Sequence, residues 1–217
     1  MIPLRDNVPS QRVPVVNYLV IGVNVAVFFY EASLGRRLES FILTHGLVPN
    51  DFSFPNLLTS MFLHGGWGHL LGNMLFLYIF GDNVEDRLGH ARYLIFYLLC
   101  GIAAGAAQAM TSPHSGVPMV GASGAIAGVS GAYFLFFPSA RVLTLVPIFL
   151  FLQMVEIPAV FFLLVWFLWQ LLSGVATLGH GEGMGGVAFF AHVGGFVAGM
   201  VLGPVLRLRA TARPRWA

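Results

Sequence analysis

The chain has 217 residues, of which 57% are hydrophobic and only 9% are charged, and its mean hydropathy is +0.81. Soluble domains carry about 25% charged residues, so this composition excludes a soluble globular protein and predicts an integral membrane protein. The net charge of +2 is too small for a nucleic-acid binder, and the single cysteine, Cys100, excludes a disulfide framework and a cysteine-rich zinc site.

Six apolar runs could form membrane-spanning helices, which need about 20 apolar residues each. They cover residues 15–35, 66–84, 91–110, 122–137, 157–175 and 187–206. The predicted fold is therefore an all-α polytopic bundle of six spans over residues 15–206, with a cytoplasmic N-terminal segment, 1–14, and a basic cytoplasmic tail, 207–217. A further apolar run, 142–156, is interrupted by Pro147, Gln153 and Glu156. It is expected to lie along the membrane interface, with a re-entrant element as the alternative.

The positions of the basic residues predict the orientation of the bundle. All eleven are arginines, and six spans would place nine of them on the side of the two termini. The opposite side would hold only Arg36 and Arg37. Because basic residues accumulate in cytoplasmic loops, both termini are expected in the cytoplasm. The arginine-only basic composition suggests a bacterial chain, and hence a bacterial cytoplasmic membrane.

Spans four and six carry glycines at a spacing that lets helices approach closely. The glycines assigned to helix packing are Gly121, Gly124, Gly128, Gly195 and Gly199. Packing explains these glycines, but it does not explain Ser123 and His192 at similar depth on the same two helices. If the helices touch, the histidine could take the proton of the hydroxyl and form a catalytic dyad. The nearest acid in the sequence, Glu182, is expected to face solvent rather than complete a triad.

A second polar group lies at the start of span two, in HGGWGHLLGN, residues 64–73. His69 and Asn73 are four residues apart and share one helix face. Together with the backbone N–H of Ser123, both could stabilise an oxyanion, or they could simply bond neighbouring helices. His64, His69 and His192 are predicted at one depth, but no acid lies between the first two. This spacing differs from the zinc-binding HExxH motif, so no metal site is expected.

The motifs HGGWGHLLGN, GASG and AHVGG, in this order on spans two, four and six, resemble those of the rhomboid intramembrane serine proteases. The resemblance covers the chain from about residue 15 to 206. It implies an endopeptidase that cleaves transmembrane or juxtamembrane segments of membrane proteins through an acyl-enzyme, without a metal or cofactor. It implies that Ser123 is the nucleophile, that His192 is the general base, that His69 and Asn73 help to form the oxyanion hole, and that His64 shapes the cavity.

Two positions depart from the pattern of that family. Pro55 and Asn56 stand where many members have a Trp-Arg pair in the first loop, and Ala127 stands where some have an aromatic residue that packs on the histidine. The expected partners are single-pass or other transmembrane protein substrates and membrane lipid. The alternative is a catalytically inactive relative that binds transmembrane helices. A small-molecule transporter is a weaker alternative, because no internal repeat is visible.

Overall fold

The computed structural model describes residues 1–148, 151–177 and 188–207. Its helices are α1 (Val15–Ser33), α2 (Leu38–His45), α3 (Asn56–Thr59), α4 (Trp67–Phe76), α5 (Asp82–Leu88), α6 (His90–Thr111), α7 (Ser123–Phe136), α8 (Ala159–Thr177) and α9 (Phe189–Leu206). Its strands are β1 (Ile2–Asp6), β2 (Arg141–Ile148) and β3 (Phe151–Pro158). Glu182 and the predicted tail beyond Arg207 lie outside the described residues.

The long helices correspond to the six predicted spans, so the helical polytopic architecture is confirmed. In the described part of the chain, α1, α6 and α9 are each long and apolar enough to cross a membrane, and α7 and α8 contain shorter apolar helices. The second span is a composite of α4 and α5, which are joined by a π-helical turn at Leu77–Gly81. It therefore continues beyond the predicted end at residue 84 to Leu88.

A three-stranded antiparallel sheet is the main difference from the predicted all-α fold. Strand β2 pairs with β1 on one side and with β3 on the other, so the described residues of 142–156 lie in the two strands of a β-hairpin. The two structures considered for this apolar run, an interfacial segment and a re-entrant element, did not include a hairpin. Strand β2 alternates buried Val142 and Thr144 with more accessible neighbours, as a half-buried strand does. Its partner β1 lies in the N-terminal segment, which the sequence did not connect to it.

Helix α7 lies at the centre of the bundle between α6 and α9. All its residues from Gly124 to Tyr133 are buried. A methyl group added at Gly195 would overlap the carbonyl oxygen of Gly124, and one added at Gly199 would overlap that of Gly128. The backbones of α7 and α9 are therefore in direct contact, and this contact fixes the relative height of their N-terminal ends.

Two carboxylates fasten the opposite end of the bundle. The Glu85 carboxylate is buried and accepts hydrogen bonds from the backbone N–H groups of Val16 (3.0 Å) and Asn17 (2.7 Å), which begin α1. An anion at this position satisfies N–H groups that have no partner within the helix. Asp6, at the end of β1, accepts hydrogen bonds from the Tyr133 hydroxyl and from Asn83. The N-terminal segment is thus tied to the end of α7 that lies farthest from Ser123.

The first loop, between α1 and α4, is anchored by Asn56, which stands in the place of the family's Trp-Arg pair. The Asn56 side chain donates hydrogen bonds to the carbonyl oxygens of Thr44 (3.1 Å) and Gly46 (2.8 Å). The first loop expected by the resemblance would use a Trp-Arg pair here. In this chain an amide satisfies the C-terminal carbonyl groups of α2 instead, and this holds α2 against α3.

The first loop also pairs with the segment that precedes α7. Leu47 and Met119 exchange two backbone hydrogen bonds of 3.0 and 2.8 Å, and the N–H of Gly121 donates to the carbonyl oxygen of Ser60 at 2.9 Å. These bonds place residues 112–122 beside the first loop. They also set the position from which α7 begins at Ser123.

Candidate active site

The structure brings Ser123 and His192 together. Ser123 is the first residue of α7, and His192 lies in the first turn of α9. The Oγ atom of Ser123 lies 2.7 Å from Nε2 of His192, and the imidazole is 9% exposed. The glycine contacts between α7 and α9 impose this distance, because they align the N-terminal ends of the two helices. A hydroxyl in hydrogen-bond contact with an imidazole nitrogen is the arrangement that general-base activation requires.

The other nitrogen of the His192 ring has a partner on α8. Oε1 of Gln170 lies 2.7 Å from Nδ1 of His192, and the Gln170 side chain is itself 9% exposed. The ring of Trp166, one helical turn earlier, packs against the imidazole with centroids 5.7 Å apart. These two side chains hold the imidazole ring in place. In some family members an aromatic residue at the position of Ala127 is expected to do so instead. Neither residue was predicted from the sequence, although Gln170 is the only amide side chain in α8.

His69 and Asn73 line the same cavity as Ser123 and lie next to Gly121 in the segment before α7. The N–H of Gly65 points to Nδ1 of His69 at 3.4 Å, a contact that favours the tautomer with the ring proton on Nε2. Nδ2 of Asn73 is buried and has no hydrogen-bond partner among the described residues. Both groups therefore offer N–H donors next to the start of α7. Together with the free N–H groups of the first turn of α7, they could bind a developing oxyanion.

Gly121 does not belong to the glycine contact between helices, which corrects its assignment in the sequence analysis. It precedes α7 and has a φ of +126°, a conformation that side-chain-bearing residues rarely adopt. A Cβ atom at this position would lie 2.7 Å from Nε2 of His69 and 3.6 Å from Nδ2 of Asn73. Its backbone therefore occupies the space next to the two donors. By contrast, Gly124, Gly128, Gly195 and Gly199 all lie at backbone contacts between helices.

His64 lies behind His69 in the loop before α4. Its backbone N–H donates to the Glu31 carboxylate at 3.2 Å, and its Nδ1 contacts the carbonyl oxygen of Phe62 at 3.3 Å. Burial lowers the pKa of His64 to about 4, with a smaller contribution from His69, so the ring is neutral at pH 7. The His64 and His69 rings pack edge to face with centroids 5.2 Å apart. His64 thus supports the ring of His69 from behind.

A cavity of about 450 Å³ opens over these groups. Its lining combines Ser123, His69, Asn73 and His192 with apolar residues such as Phe76, Met119 and Trp166. His64 is not part of this lining and acts on the cavity only through His69. An extended peptide segment could place a carbonyl group over Ser123 from this cavity. Among the described residues, no group of three or more His, Cys, Asp or Glu side chains is placed to hold a metal ion.

Comparison with known proteins gives a consistent result. The family model of the rhomboid domain matches residues 52–209. Rhomboid-like protein 11, chloroplastic, of Arabidopsis thaliana is 33% identical over 129 residues, which are 58% of this chain and 43% of that protein. Rhomboid protease GluP of Bacillus subtilis is 36% identical over 124 residues, covering 55% of this chain and 24% of that protein. Putative rhomboid protease YdcA of B. subtilis is 42% identical over 77 residues, 36% of this chain and 38% of that protein. The matches thus span less than half the length of each of these relatives.

Proposed function

The chain belongs to the rhomboid family of membrane-embedded proteins, and from that premise we propose that it is an intramembrane serine endopeptidase. Its substrates would be other membrane proteins, cleaved in or beside their transmembrane segments. The observation that carries this proposal is the 2.7 Å contact between Oγ of Ser123 and Nε2 of His192. Two curated relatives are named as a protease and a putative protease, which supports the same reaction class.

The proposed reaction is acyl transfer through Ser123. His192 takes the hydroxyl proton as Oγ attacks the carbonyl carbon of the scissile peptide bond. The resulting oxyanion accepts hydrogen bonds from His69, Asn73 and the backbone N–H of Ser123. Collapse of this intermediate expels the amine, which receives the proton from His192 and leaves an ester on Ser123. Water enters through the cavity, and His192 activates it to hydrolyse the ester.

The arginine distribution supports a specific orientation in the membrane. Arg5, Arg87 and Arg141 belong to the end of the molecule that holds the sheet, whereas Ser123 begins α7 at the opposite end. With basic residues on the cytoplasmic side, both termini are cytoplasmic and the cavity opens towards the outer face. We propose a bacterial cytoplasmic membrane as the location.

A fluorophosphonate probe tests the proposal without knowledge of the substrate. The purified protein in mild detergent is compared with Ser123→Ala, with His192→Ala and with Ser130→Ala, a matched control at a buried serine on the same helix. Labelling of the parent and of Ser130→Ala, but of neither dyad variant, supports the activated serine. A transmembrane reporter substrate is then added to the same four proteins. Cleavage that survives Ser123→Ala refutes the proposal, and a folded parent that neither labels nor cleaves favours a helix-binding relative.

A further inference from the structure

Gln170 has a contact that neither the family motifs nor the composition of α8 required. Its amide is buried in the bundle, and its oxygen reaches Nδ1 of the histidine whose other nitrogen contacts Ser123. The atoms therefore form a chain from Gln170 Oε1 through the imidazole to Ser123 Oγ, with both distances at 2.7 Å. We propose that Gln170 is a positioning residue that fixes the tautomer and the orientation of His192, an inference that rests on the proposed function.

The tautomer of His192 decides whether its imidazole can act as a base towards Ser123. A neutral imidazole carries one proton, and only a nitrogen without a proton can accept the hydroxyl proton of Ser123. When Oε1 of Gln170 accepts a hydrogen bond from Nδ1–H, Nε2 is left free to act as the base. An amide turned to present its NH₂ group to Nδ1 would force the ring proton onto Nε2, where it would face the hydroxyl. The neutral amide thus supplies the orienting part of what an aspartate supplies in a triad, without the charge.

The surroundings of His192 leave this task to α8. Trp166 lies on the same face of that helix and packs against the imidazole, so the ring is confined between the indole and the contacts of α9. Among the described residues, the titratable side chain that lines the cavity together with His192 is His69 on α4. Among the residues that the structure describes, no acidic side chain contacts Nδ1 of His192. The orientation of the general base therefore depends on one amide and one aromatic ring.

Kinetics on a transmembrane reporter substrate separate positioning from simple packing. The variants are Gln170→Leu, which removes the acceptor, and Gln170→Glu, which keeps an acceptor oxygen and adds charge. Gln153→Leu is the matched control at an exposed glutamine on β3. We expect kcat of Gln170→Leu to fall about ten-fold, the worth of one hydrogen bond, with KM within about two-fold. Gln170→Glu should recover most of kcat and move the acidic limb of the pH–rate profile to higher pH, because a carboxylate stabilises the imidazolium.

Two results would overturn the assignment. One is a Gln170→Leu enzyme with the kcat and pH profile of Gln153→Leu. The other is a folded Gln170→Glu enzyme that is as slow as Gln170→Leu and has an unshifted profile. Unfolding temperatures in detergent identify any variant that has lost its fold. If one of the two Gln170 variants is unfolded, the other decides the outcome.

A ¹⁵N spectrum of the histidine rings makes the result independent of catalysis. The His192 signals are assigned by their loss in His192→Asn. The proposal requires the proton on Nδ1 in the parent and exchange between tautomers in Gln170→Leu, whereas a proton fixed on Nε2 in the parent contradicts it. A parent that neither labels nor cleaves would refute the proposed protease function, and the spectrum would still decide whether Gln170 sets the tautomer.

Discussion

The contact between α7 and α9 makes a strong prediction for Gly199→Ala. The new methyl group would overlap the carbonyl oxygen of Gly128, and no rotation relieves the clash because both groups belong to rigid backbone. The helices must separate locally by about 1 Å to reach normal contact distances. Overpacking of this kind costs about 1–3 kcal/mol of folding free energy. His192 lies seven residues away on the same helix, about 10 Å along its axis, so the separation also reaches the dyad.

The catalytic effect should exceed the loss of stability. A displacement of about 1 Å lengthens the 2.7 Å contact between Ser123 and His192 beyond hydrogen-bond range. A misplacement of that size can reduce the rate about 100-fold. The assay compares fluorophosphonate labelling rates and unfolding temperatures in detergent. The matched control is Gly22→Ala on α1, where a methyl group would meet no atom within 4 Å.

Gly22→Ala is an informative control because alanine has a higher intrinsic helix propensity than glycine. Gly22→Ala should keep the labelling rate and should not lower the unfolding temperature. Gly199→Ala should lower the unfolding temperature by several degrees and slow labelling by one to two orders of magnitude. If Gly199→Ala labelled and unfolded like Gly22→Ala, the close backbone contact between the helices would be refuted.

Three further predictions concern other polar groups. Asn73→Leu should lower kcat about 100- to 1,000-fold with little change in KM if its free Nδ2 binds the oxyanion, whereas a loss of stability with intact kcat would indicate a packing role. Burial, with repulsion from Asp82, raises the pKa of Asp6 from 3.8 to about 6. The folded protein thus binds more protons than the unfolded chain between about pH 4 and pH 6, and its stability should fall by about 1–2 kcal/mol as the pH rises through this window, after allowance for solvent screening. Asp6→Asn should remove that part of the pH dependence of the unfolding temperature, and an unchanged slope would contradict the assignment. Glu85→Ala should lower the unfolding free energy by about 2–3 kcal/mol, since it removes two charge-assisted bonds at the start of α1, and equal stability in a denaturant titration would show that water replaces them.

The sequence was most informative where the signal is local. Ser123 and His192 stand beside glycines whose helical spacing marks a close contact, so one pattern predicted that the two helices meet and that the two side chains share a depth. His69 and Asn73 were placed on one helix face by their spacing alone. These inferences needed only the period of an α-helix and the order of the spans.

Residues whose roles depend on distant partners were not predictable in this way. The hairpin β2–β3 reads as an apolar run, and its assignment depends on β1, about 140 residues earlier in the chain. Gln170 reads as one polar residue in an apolar helix until the rotation of α8 is known. Gly121 continues the glycine pattern of α7, but its positive φ shows that it belongs to the preceding segment.

The shortness of α7 has a consequence for the lipid around the protein. Its 14 residues extend about 21 Å, whereas the hydrocarbon layer is about 30 Å thick. The peptide groups of residues 112–122 therefore need partners from the protein or from water in the cavity, because lipid tails offer no hydrogen bond. The two bonds exchanged by Leu47 and Met119, and the bond that the N–H of Gly121 donates to the carbonyl oxygen of Ser60, provide such partners. The first loop thus supplies backbone partners to the segment that completes this short span, and shortening the loop should leave those peptide groups unpaired even with every reacting group in place.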